Sequence, residues 1–254
     1  MSFGLPPLYR ILRRNEYMGN NLTFSLYAEV NLLCIILLLI MMTKAAKYGL
    51  DSSPKKHAFL ASMGFTAFMN AFDILWFAGL TRAVYIPVDL MYVIGCFYFM
   101  NLALSSYSWF LFTEIVQNQK TSKSAKLIGL TSLPLFVLLA LLISAPFTGW
   151  LYSFNADGDL IYGPLYYLQH IFGFGYAIVA SLKVFIITMK KRTVRRDSYI
   201  TMFSFAVPPV VCIILQSIFQ DLPIISISPT ISFLLIYTNS LKLQISLDPL
   251  TGIS

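Results

Sequence analysis

Long apolar runs recur along this chain, and they dictate what it can fold into. Seven can be read: Leu22–Thr43, Ala58–Leu80, Ile86–Thr113, Leu127–Gly149, Leu165–Met189, Ile200–Gln220 and Ile224–Leu241. Crossing the hydrocarbon core of a bilayer takes about 20 apolar residues. A segment in lipid must satisfy its backbone N–H and C=O groups internally, and a helix does so. The expectation is therefore an all-α membrane protein, a seven-transmembrane helix bundle. A membrane β-barrel would show alternating segments of about ten residues instead, and none is visible. Only 11% of the residues are charged, against roughly 25% in soluble domains.

The basic residues predict an orientation. Lys44, Lys47, Lys55, Lys56, Lys120, Lys123, Lys126, Lys183, Lys190, Lys191, Arg192, Arg195, Arg196 and Lys242 fall on one side of the seven-span layout. Arg10, Arg13, Arg14 and Arg82 fall on the other. Cytoplasmic loops carry the excess of Lys and Arg, so a 14-to-4 split puts the N-terminus outside and the C-terminus in the cytoplasm. The net charge of +7 is then a topology signal, not a sign of nucleic-acid binding. The partner it implies is the lipid bilayer, whose anionic headgroups suit a basic edge. Residues 1–21 read as an extracellular segment, 22–241 as the membrane domain and 242–254 as a cytoplasmic linker. Residues Met1–Asn20 lack the apolar stretch of a cleaved signal peptide, so the first span is expected to be retained. Cys34, Cys96 and Cys212 all fall inside spans. An odd number of cysteines in such positions gives no disulfide framework.

Polar residues inside the spans are where a site is expected, because charge at membrane depth is costly. At about 1.5 Å of rise per residue, Glu29, Asp73, Asp89, His170 and Gln216 share the outer-leaflet level of five different helices. Tyr27, Trp76 and Tyr92 accompany them. An aromatic-walled pocket with a few convergent polar groups is the usual form of a small-molecule site. The expectation is that Glu29, Asp73 and His170 face one outer cavity that takes a small-molecule ligand. The plainer account is that such groups join neighbouring helices by hydrogen bonds. His170 alone reads better as packing than as a proton sensor.

Residues 150–164 form the longest outer loop. Apolar and polar residues alternate there around Asp157-Gly158, a hairpin signal. The Asn155-x-Asp157-x-Asp159 spacing matches the start of a calcium loop, but Leu160 and Tyr166 stand where that loop needs Gly and Glu. Pro208-Pro209 falls in the sixth run and predicts a kink there, a candidate hinge. Leu234, Tyr237, Leu241 and Ile245 recur at spacings of three, four and four, a stripe that would carry the last helix toward the cytoplasm.

The final residues read Asp248-Pro249-Leu250-Thr251-Gly252-Ile253-Ser254. Asp248, Leu250, Thr251 and Gly252 resemble the opening of the GGDEF domain of bacterial diguanylate cyclases. The whole chain resembles, more diffusely, the seven-helix N-terminal regions of bacterial sensors, including those that feed histidine kinases. The resemblance implies an input module in a bacterial inner membrane that regulates an attached cyclase making cyclic di-GMP. It also implies a homodimer formed through the output domain. GTP and Mg²⁺ would belong to that domain, and no cofactor is expected in residues 1–254. No HExxH, Walker A or GxSxG pattern suggests an enzyme within this chain. A small transporter or channel is the alternative.

Overall fold

The computed structural model describes residues 7–48, 53–117, 123–155, 158–190, 205, 207–218 and 227–245. The described elements are α1 (Pro7–Tyr48), α2 (Ser53–Leu80), α3 (Val88–Val116), α4 (Ala125–Thr148), β1 (Tyr152–Phe154), β2 (Leu160–Tyr162), α5 (Tyr166–Lys190), α6 (Val207–Ile218) and α7 (Ser228–Ile245). Five helices are long and apolar enough to cross a membrane, over Thr23–Lys47, Pro54–Leu80, Val88–Val116, Ala125–Thr148 and Tyr166–Ile187. They coincide with the first five predicted runs. The sixth and seventh runs are met by two shorter helices, of 12 and 18 residues. Parts of both runs lie outside the described residues. The chain is thus an all-α, multi-pass membrane protein.

The outside of the bundle is apolar, as lipid contact requires. Leu130, Phe136, Ile143 and Phe147 on α4 are all exposed. The inside is aromatic and small. α3 is the central helix and packs chiefly on α2 and α5. A Cβ at Gly173 would sit 2.7 Å from a Leu102 methyl, so the glycine lets α5 approach α3 closely. Small residues at helix contacts are the usual way membrane helices gain packing. Ala177 and Ala180 continue this buried face of α5.

Hydroxyls tie α4 to the bundle. Tyr107 on α3 donates to the Ile128 carbonyl of α4 at 3.0 Å, and Tyr176 on α5 donates to the Thr131 carbonyl at 2.6 Å. α4 opens on Ser124, whose Oγ accepts from Leu127 N, and closes on Gly149 in the left-handed region.

The predicted hairpin is present between α4 and α5. β1 and β2 pair antiparallel, with Tyr152 opposite Tyr162 and Phe154 opposite Leu160. Gly158 takes a positive φ of 84°, which a residue without Cβ adopts freely. Asn155 fixes the turn: its Oδ1 accepts from Asp159 N at 2.7 Å. Arg82, beyond the end of α2, pairs with Asp159 and ties the hairpin to the bundle. Asn155 and Asp159 thus serve the turn and its anchor.

Candidate functional site

Buried polar residues occur on several helices, and those of α2 are aligned. Ser62, Thr66, Asn70 and Asp73 recur on α2 at spacings of four, four and three, so they form one stripe. All four are buried. Each reaches a neighbouring helix. Ser62 donates to the Ser105 carbonyl of α3 at 2.7 Å. Thr66 bonds the Ser105 hydroxyl at 2.6 Å. Asn70 donates to Thr230 of α7 at 3.4 Å. Asp73 accepts from the Tyr27 hydroxyl of α1. α2 therefore connects three other helices through side chains that water cannot satisfy.

A hydrogen bond from a hydroxyl to a carboxylate, as from Tyr27 to Asp73, is charge-assisted, the stronger kind. The Tyr27 ring also lies 4.3 Å from Phe77, which fixes its direction. One turn along α1, Asn31 is fully buried and donates to the Tyr27 carbonyl at 3.1 Å, but its Oδ1 has no partner. Asn70 Oδ1 is also unpartnered. These two acceptors and the Asp73 carboxylate sit in apolar surroundings at neighbouring levels of α1 and α2.

A second group is aromatic. Trp76 of α2, Tyr92 and Phe99 of α3 and Phe154 of β1 surround Tyr152, a fully buried residue of the hairpin. Gly95 makes room for it: a Cβ there would lie 2.5 Å from the Tyr152 hydroxyl and 2.7 Å from the Trp76 ring. The hydroxyl has no hydrogen-bond partner. Burial pushes its pKa well up, with the nearby Cys96 and Tyr92 adding to the effect. His170 approaches the same box, 6.0 Å from Phe99 and 5.3 Å from Tyr166 between ring centres. His170 Nδ1 and both amide atoms of the fully buried Gln169 are unpartnered.

The predicted site residues therefore separate. Tyr27 meets Asp73, and Trp76 and His170 border the aromatic box. Tyr92 stacks on Tyr152 from one side and faces an open groove with Asp89 on the other. Glu29 is exposed and does not join them. The reason is angular: two residues on a helix are about 200° apart, so burying Tyr27 turns Glu29 outward. Equal depth did not mean a common face. Gln216 lies on α6, but its side chain is outside what the structure describes.

Pro208 and Pro209 stand in the first turn of α6, where a missing N–H costs little. Pro209 cannot bond the Phe205 carbonyl four residues earlier; Ser232 of α7 donates to that carbonyl at 2.7 Å instead. Asp248, Leu250, Thr251 and Gly252 lie outside the described residues.

One ion pair escaped the sequence reading. Glu114, near the end of α3, is fully buried and bonds Lys183 of α5, while its second oxygen has no partner. Among the described residues no cluster of three or more His, Cys, Asp or Glu could hold a metal ion. Cys34, Cys96 and Cys212 are free thiols. No protein-family model matches the chain, and no curated protein matches it either.

Proposed function

We propose that this chain is the signal-input part of a bacterial membrane sensor. In this reading it has seven spans, with the N-terminus outside and the C-terminus in the cytoplasm. It regulates a diguanylate cyclase-type domain opening at Asp248. One observation carries the reading. α7 stays helical through Ile245, beyond the seventh apolar run, which ends at Leu241. Only Ser246 and Leu247 stand between that helix and the Asp248-Pro249-Leu250-Thr251-Gly252 motif. A connection that short passes rotation on, where a slack linker would absorb it.

The inside of the bundle supports an input role. The polar stripe of α2 touches α7 through Asn70 and Thr230, one turn from the Tyr27–Asp73 bond. A small molecule that competes for Asp73 or the free amide oxygens of Asn31 and Asn70 would alter how α1, α2 and α7 sit together. GTP and Mg²⁺ act only at the output domain, which also supplies the dimer contact.

The test is phase. One residue inserted after Lys242 turns everything downstream by about 100°, and seven nearly restore the phase. In cells making the full-length protein, one extra residue should abolish stimulus control of cyclic di-GMP and seven should return it. Equal behaviour with one, three and seven insertions would overturn helical transmission. The alternative is a small transporter, and the α2 stripe favours it to a degree because it runs from Ser62 to Asp73 through the bundle. A transporter would move solute in proteoliposomes with no output domain attached; a sensor would not.

A further inference from the structure

α3 and α4 part at the hairpin end and leave a groove. Its volume is about 450 Å³, within the roughly 300–1,000 Å³ of small-molecule sites. Tyr92, Cys96 and Phe97 form the α3 wall, and Ile143 and Phe147 form the α4 wall. The groove exists because the two helices are joined elsewhere. Tyr107 bonds Ile128 at the opposite end, ten residues and about 15 Å along α3 from Phe97. Phe97, Ile143 and Phe147 are exposed apolar side chains, so the groove opens sideways into lipid.

Its rim carries one ionisable carboxylate. Asp89 is exposed in the first turn of α3 and lines the groove. Among the described residues Asp89 forms no ion pair; Arg82, the nearest arginine in sequence, pairs with Asp159. The helix dipole alone favours an acid at that position, which accounts for its stability but not for the apolar trough beside it. An occupant that fits both has an apolar body and a cationic head. It arrives from the bilayer, since that is where the groove opens.

We propose that the α3–α4 groove holds the acyl chain of a membrane phospholipid whose primary-ammonium headgroup pairs with Asp89. A primary ammonium donates hydrogen bonds to a carboxylate and so gains charge-assisted contact. A trimethylated headgroup cannot, and an anionic headgroup is repelled. The site is separate from the Tyr27–Asp73 cluster and stands whether or not the chain is a sensor. It does have a route inward: Tyr92 lines the groove and stacks on Tyr152, with ring centres 5.7 Å apart.

The experiment uses the full chain in nanodiscs. Each nanodisc carries a trace of lipid with a photoactivatable acyl chain and an ethanolamine, choline or glycerol headgroup, the chains being identical. Adducts are mapped by peptide mass spectrometry. The expected result is labelling of residues 89–97 and 142–147, about two- to fivefold greater for ethanolamine than for glycerol, the scale of an exposed ion pair. Asp89→Asn should remove that excess and Asp89→Glu should keep it. Ile143→Trp, which fills the trough, should remove labelling by all three lipids while the protein stays monodisperse. Equal labelling by the three headgroups, an excess that survives Asp89→Asn, or adducts confined to other helices would each overturn the proposal.

Discussion

Removing Lys183 should cost more than removing Lys183 and the charge of Glu114 together. The Glu114 side chain is 1% exposed and that of Lys183 is 38% exposed. Lys183→Met leaves a carboxylate buried with neither oxygen paired, since Oε2 already lacks a partner. Breaking a fully buried pair from one side costs about 3–5 kcal/mol. Lys183 is more than a third exposed, and exposed pairs contribute far less, so about 2–3 kcal/mol is the better figure here. That is a fall of roughly 30- to 150-fold in the folded-to-unfolded ratio. Lys183 also lies 5.3 Å from the Phe110 ring centre, a contact of about 0.5–1 kcal/mol that any substitution of the lysine loses. The double variant Glu114→Gln/Lys183→Met buries no charge, so it should lie within about 1 kcal/mol of the parent, because neutral replacement of a buried pair is often tolerated. Unfolding by sodium dodecyl sulfate titration in mixed micelles, followed by helicity, measures both. If the single and double variants lose the same stability, the pair is not what holds Glu114 in the bundle and the reasoning fails.

Gly95→Ala should destabilise by about 1–3 kcal/mol through overpacking, and Tyr152→Phe in that background should recover part of it, because the Tyr152 hydroxyl is the nearest atom; thermal melts of the four proteins test this, and additivity would refute it. Tyr27→Phe removes one donor to the buried Asp73 and should cost about 1.5–3 kcal/mol, the range for a hydrogen bond to a charged group; a loss under about 0.5 kcal/mol would show that Asp73 does not depend on Tyr27. The raised pKa of Tyr152 means the folded state holds its proton longer than the unfolded chain does. Its contribution is full below the ordinary tyrosine value of about 10 and is lost as pH rises beyond it; stability measured from pH 9 upward should fall less steeply in Tyr152→Phe, and identical slopes would refute the assignment.

The sequence made heights legible but not faces. Five spans could be read from apolar length alone, and so could the hairpin, because Asp157-Gly158 and the alternation beside it are local signals. Depth along each helix was also readable, yet it could not say that Tyr27 and Glu29 point about 200° apart. The buried face of α1 runs through Tyr27, Asn31, Cys34, Leu38, Met41 and Ala45. Those spacings of four, three, four, three and four already leave Glu29 outside. The α2 stripe carried an equally plain signal at 62, 66, 70 and 73. Asp73 stands out there by its charge, whereas serine and threonine are ordinary in membrane helices and only their spacing distinguishes Ser62 and Thr66. Glu114 was missed for another reason: it stands past the third apolar run, where a charge suggests an interface with water. Nothing local says that Lys183, 69 positions on, returns to cover it.

These two polar features act at different places, and that division explains how the bundle holds one arrangement. Apolar packing between helices is forgiving in lipid, because the competing contact is also hydrocarbon. A one-residue slip of α2 would scarcely change its apolar burial. It would turn Ser62, Thr66, Asn70 and Asp73 away from Ser105, Thr230 and Tyr27 together, leaving several buried polar groups unmet at about 1–3 kcal/mol each. Glu114 and Lys183 impose the same demand on α3 and α5. Among the described residues α7 meets the same demand from two sides, through Asn70 to Thr230 and through Ser232 to the carbonyl that Pro209 cannot bond. A slip of α7 would break both together, so its register against α2 and α6 is set by hydroxyls as well as by packing.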